Sequence, residues 1–222
     1  LNTGDHRWRA PVGTGNRDHP ALQKLGIKQP LGWPHRSFVL VTKTLLLVVQ
    51  NGAQIPRGAF RRLEAELINV EPKLYAYDKA TGDLKWKTAP LTGTTSQTSP
   101  LNSGTSYVSP SLVKVGAEDQ LVMITAAQGF GRAASGGRVN GIDPLTGKIL
   151  WTYTNFNCWI PVAHAVDAGE GRMLLAGGYN AGSAMIQVAK KADGTYGVTE
   201  LFKNPDFGSH TQPPILYKDH FY

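Results

Sequence analysis

The feature that most constrains this chain is a repeated stretch: 74–86, LYAYDKATGDLKW, recurs as 139–151, VNGIDPLTGKILW. A shortened third copy, LNTGDHRW, stands at 1–8, so Thr-Gly-x-x-x-Trp ends at Trp8, Trp86 and Trp151. One unit recurring at long, irregular spacing is the mark of an array whose members bury a face against their neighbours.

Each part of the unit has a physical task. Leu74, Tyr75, Ala76 and Tyr77 form a short apolar and aromatic run, the pattern of a strand. Asp78 follows where its carboxylate accepts N–H groups from the next turn, and Asp143 holds the same place in the second copy. Gly82 and Gly147 stand where the chain reverses and a positive φ is expected. The Trp side chain is too large for one small sheet and is expected to dock on the next one. Strand, turn, strand and docking ring together describe one edge of a propeller blade. Trp8, Asp78, Gly82, Trp86, Asp143, Gly147 and Trp151 are therefore read as a structural docking motif.

Composition supports an all-β chain. There are 25 Gly and 14 Pro among 222 residues, few long helical periods, and enough hydrophobic residues (41%) for one core. No run approaches the length of a transmembrane helix, and no signal peptide is visible. Cys158 is the only cysteine, which excludes an internal disulfide and a cysteine metal cage. The formal charge is +7, but only Arg57, Arg61 and Arg62, and the pair Lys190 and Lys191, cluster. Neither cluster alternates with aromatic residues, so nucleic acid is not an expected partner.

Read in order, the chain is a partial β-propeller of about three four-stranded antiparallel blades, at 37–88, 107–154 and 161–203, within one domain over 1–222. Incomplete flanking strands are expected at 1–10 and 213–222, and the sequence reads as part of a longer protein. The Gly- and Pro-rich stretch 11–34 is a long connection carrying His19 and Trp33, with His35 just after it. Ser37 to Gln50 holds two buried strands around a tight turn. An insertion at 51–72 contains Phe60, Leu63 and Leu67 at helical spacing, the pattern of one short amphipathic helix. The glycine-rich 128–137, QGFGRAASGG, lacks the glycine order and lysine of a phosphate loop. The third blade is expected to start near Val162. It has lost the Thr-Gly, and Phe202 stands about where the others carry Trp. The final strand, from Pro213 to Tyr217, is expected to lack its complete hairpin partner.

The repeated motif resembles the tryptophan-docking motif of the pyrroloquinoline quinone (PQQ) type propellers, an eight-bladed family. LNTGDHRW, LGWP, LVTKTLL and YAYDKATGDLKW resemble the C-terminal region of PQQ-dependent glucose and related dehydrogenases. SYVSPSLV, GIDPLTGKILW and LFKNPDFGSH are more similar to non-catalytic PQQ-like propellers, including relatives of the outer-membrane assembly lipoprotein BamB. The first resemblance implies a quinoprotein oxidoreductase acting on a sugar or alcohol, with PQQ and calcium held at the centre of the ring. The second implies a protein-interaction scaffold. Both imply export to the periplasm.

Few residues qualify as ligand contacts. Arg132, Trp159, His164 and His210 fall in or beside loops that line a propeller's central face, and none is assigned to quinone binding. No catalytic residue and no metal ligand is assigned. Cys158 stands beside no histidine or acid in a nucleophile motif and reads as a small buried thiol. A partial ring leaves open sheet flanks, so the expected partners are the remaining blades or another copy of the chain.

Overall fold

The computed structural model describes residues 39–50, 73–91, 107–127 and 134–222. These form fourteen strands and, among the described residues, no helix. The first sheet comprises β1 (Val39–Val41), β2 (Leu45–Gln50), β3 (Lys73–Asp78) and β4 (Leu84–Lys87). The second comprises β5 (Ser111–Val115), β6 (Glu118–Thr125), β7 (Arg138–Ile142) and β8 (Ile149–Tyr153). The third comprises β9 (Val166–Gly169), β10 (Arg172–Gly177), β11 (Gly182–Lys190) and β12 (Tyr196–Asn204). A hairpin of β13 (Leu216–Tyr217) and β14 (His220–Phe221) follows.

Every four-stranded sheet is an antiparallel meander in chain order. Like strands of the second and third sheets meet: β5 packs by β9, and β8 by β12. This is a partial β-propeller of three blades. Burial follows from the stacking. From Gln120 to Thr125, β6 is buried at every residue, because blade 2 is covered on both faces. A half-covered strand would alternate, as β5 does. By contrast, β12 has no fully buried residue.

The expected third blade opens later than its sequence suggests. Residues 162–165 form no strand, and the blade begins at Val166. The backbone just before it is already engaged by blade 2: Ala127 donates to the Cys158 carbonyl at 2.8 Å and Tyr107 to the Pro161 carbonyl at 3.0 Å. The terminal strand also differs from expectation, because it does find its partner. Ile215 and Tyr222 exchange backbone hydrogen bonds at 3.0 Å around a turn in which Lys218 and Asp219 are both left-handed. The leading strand with Trp8, the connection 11–34 with His19 and Trp33, and His35 lie outside the described residues. So do the helix expected within 51–72 and Arg132.

Candidate functional site

Alternation of strand direction gives each blade two ends. The tight turns, including 79–83, 143–148 and 191–195, share one end. The other connections, including the long 154–165 and 205–215 and the short turn 178–181, share the opposite end.

The docking motif sits at the turn end, and its two described copies fold alike. Asp78 Oδ1 accepts from the N–H groups of Ala80 and Thr81 at 2.9 and 3.1 Å, and Asp143 Oδ1 accepts from Leu145 N–H at 2.8 Å. The Thr81 and Ala80 N–H groups, assisted by Lys85, hold the Asp78 carboxyl below its usual range. Gly82 and Gly147 both have positive φ, 82° and 74°. A bulge follows in each copy, so that Trp86 pairs with Ala76 and Trp151 with Gly141. The third blade keeps the same bulge, which puts Phe202 opposite Met185.

The small residue opposite the ring is the part of the motif that sequence reasoning missed. A Cβ on Gly141 would overlap the Trp151 indole, so that ring lies on bare backbone and is only 5% exposed. Met185 denies Phe202 such a bed, and that ring remains 49% exposed. The two tryptophans also end differently. Trp86 reaches the next blade, packing on Gly147 and donating Nε1–H to the Pro144 carbonyl at 3.2 Å. Trp151 donates to Gln120 Oε1 at 2.7 Å inside its own sheet.

Blades 2 and 3 are joined by polar groups. Lys190 Nζ lies 2.5 Å from Glu118, whose carboxylate also accepts from the Tyr196 hydroxyl. Those two donors hold the Glu118 carboxyl below its usual range. Glu200 accepts from the Tyr153 hydroxyl and from Asn155 Nδ2, and its carboxyl is lowered in the same way. Burial and then Glu200 raise the Tyr153 phenol. Lys114 N–H donates to Asp167 Oδ2 at 3.0 Å. None of these pairs is recognisable from sequence, because each joins residues far apart in the chain.

The connection end gathers two of the residues singled out in the sequence. Trp159 meets Tyr179 edge to face at 5.2 Å between ring centroids, and Tyr179 meets His210 edge to face at 4.6 Å. Tyr179 and Asn180 are the two central residues of the β10–β11 turn, with φ of 56° and 63°. A bulky side chain in the left-handed region costs about 1 kcal/mol, a strain typical of binding loops. His164 lies apart from this ladder, half-buried, and burial lowers its pKa. Cys158 is buried with its thiol pushed up to about 11 by burial, which makes it unreactive.

A calcium-held quinone needs hard oxygen donors, chiefly carboxylates. Asp78 and Asp143 are at the opposite end, committed to their turns. Among the described residues of the connections, Asp206 is the only carboxylate. No group of three or more His, Cys, Asp or Glu side chains suited to a metal occurs among the described residues. The described residues therefore do not fit a calcium–quinone site. They supply indole, phenol, imidazole and amide groups, which stack and form hydrogen bonds.

No protein-family model matches the sequence, and no curated protein matches it. Among solved structures, BamB from Moraxella catarrhalis is similar to this chain with a TM-score of 0.41 and 12% identity. The similarity covers 86% of this chain and 42% of that one, so this chain spans less than half the length of the structure it matches.

Proposed function

We propose that this chain is a non-catalytic, exported propeller that binds a partner protein at its connection end. The observation that carries this reading is the Trp159–Tyr179–His210 ladder, built on a strained turn. Tyr179 is 36% exposed and His210 is exposed. Tryptophan and tyrosine on rigid supports are the side chains that contribute most at protein interfaces. An apolar or aromatic segment suits three rings that present edges as well as faces.

The test places a photo-crosslinking residue at Asn180 in the full chain, inside cells. A discrete crosslinked partner is expected, and Trp159→Ala should weaken its binding by about 2 kcal/mol. Tyr179→Gly separates binding from folding. It removes the ring but relieves the left-handed backbone, so the melting temperature is kept while binding is lost. A parallel titration with PQQ and calcium, using glucose or ethanol and an artificial electron acceptor, tests the oxidoreductase alternative. Quinone-dependent turnover would replace the scaffold reading. Cell fractionation checks export, and a cytoplasmic chain would overturn that part.

A further inference from the structure

We propose that a cleft at the connection end, beside the aromatic ladder, is a carboxylate-binding site. The cleft has a volume of about 210 Å³ and lies where blades 2 and 3 meet, with Phe156 among its walls. Its polar lining includes Asn155, Asn157, Asn180, Asn204 and Lys203.

Local hydrogen bonds fix which end of each amide is available. Asn157 Oδ1 accepts from Gly137 N–H at 3.0 Å, so its NH2 group is the end left for a ligand. Asn204 Oδ1 accepts from the N–H groups of Asp206 and Phe207 at 2.9 and 3.3 Å, which again leaves the NH2. Asn155 is oriented the opposite way: its Nδ2 donates to Glu200 at 2.7 Å, so its oxygen is the fixed acceptor in the cleft. Lys203 Nζ is 3.7 Å from Glu200, too long for a hydrogen bond, and the ammonium can turn to a second anion. Two oriented amide donors and a cation, facing few acceptors, select an anion that only accepts hydrogen bonds.

Glu200 provides an internal precedent. Its carboxylate already accepts from the Tyr153 hydroxyl and from Asn155, and it lies near Lys203; Asn155 and Lys203 are lining residues of the cleft. A phosphate calls for more positive charge than one lysine gives, and a neutral polyol would leave the donor excess unmatched. The carboxylate could come from a small free acid or from a protein's C-terminus. None of its polar residues belongs to the ladder, but Asn180 shares a turn with Tyr179, so Asn157 and Lys203, which lie outside that turn, are the residues that test this site separately.

The experiment follows the Asn157 and Asn204 side-chain NH2 signals in ¹⁵N-labelled full chain. Titrants are succinate and a short peptide with a free C-terminus. Controls are the same peptide amidated, acetamide, glucose and inorganic phosphate at matched ionic strength. Saturable shifts with succinate or the free-acid peptide, but with none of the controls, are expected, and the active titrant identifies the source. Asn157→Asp keeps the acceptor for Gly137 but replaces the ligand donor with an anion. It should weaken binding about tenfold or more, as should Lys203→Met, with unchanged melting temperatures. Absence of saturable shifts with either acid, equal shifts with a control, or full-strength binding by both folded variants would overturn the assignment.

Discussion

The joint between blades 1 and 2 and the joint between blades 2 and 3 show one repeat put to two uses. At the first, an indole crosses from one blade to the turn of the next and donates to Pro144. At the second, the hydrogen bond of the equivalent indole stays within its own sheet, and polar groups make the crossing, among them Lys190, Tyr196 and Glu118. The motif therefore fixes the hairpin that carries it, and what the ring does beyond that depends on the neighbour.

Removing the rings should separate the two joints most clearly. Trp151→Ala is expected to cost about 3 to 5 kcal/mol, since it empties a buried site and leaves Gln120 Oε1 without its donor. Trp86→Ala should cost less, about 2 kcal/mol, because that ring is only half-buried. Urea unfolding of both variants checks the order, and equal losses would mean that the two rings play the same part.

Adding one methyl group tests the bed under the ring. Gly141→Ala should cost about 1 to 3 kcal/mol by pushing on Trp151. Blade 1 already carries that methyl, as Ala76 opposite Trp86. Combining Gly141→Ala with Trp151→Ala should give much less than the sum of the two losses. An additive result would place the strain elsewhere.

The smallest effect is that of pH. Glu118 and Glu200 have lowered carboxyl pKa values, so their support is present above the unfolded value of about 4.5 and lost as pH falls through the folded one. Hydrogen-exchange protection factors around Tyr196 and Lys190, corrected for the intrinsic exchange rate at each pH, should fall between about pH 5 and 3 before that of the Trp86 indole N–H. Raising the salt concentration should act in the same order, because the Glu118–Lys190 pair is exposed. Simultaneous loosening of both joints would erase the distinction.

The all-β class and the three-blade architecture were legible because the docking turn is local. Asp78, Gly82 and Trp86 lie within one short stretch, and each residue type names its own task. The bed under the ring was partly visible, since Ala76 and Gly141 hold the same place in the two copies. Its meaning required the bulge that brings the partner strand into register. The blade 2–3 joint was hidden because Glu118 meets residues 72 and 78 positions away. Trp159 and His210 could be singled out as loop residues, whereas Tyr179, which links them, sits in a turn whose two central positions lack the usual glycine. The cleft was hidden for another reason: the direction of an asparagine amide is set by backbone N–H groups that sequence does not locate.

The Trp86–Pro144 hydrogen bond spans 58 positions of chain. During synthesis from the N-terminus, the first blade can form its ladder and then wait without its final fastening. At roughly 5 to 20 residues per second, that wait lasts roughly 3 to 12 s. Until then the indole is an apolar group open to solvent, and completion of blade 2 is what half-buries it. Blade 2 is thus the template on which blade 1 is finished.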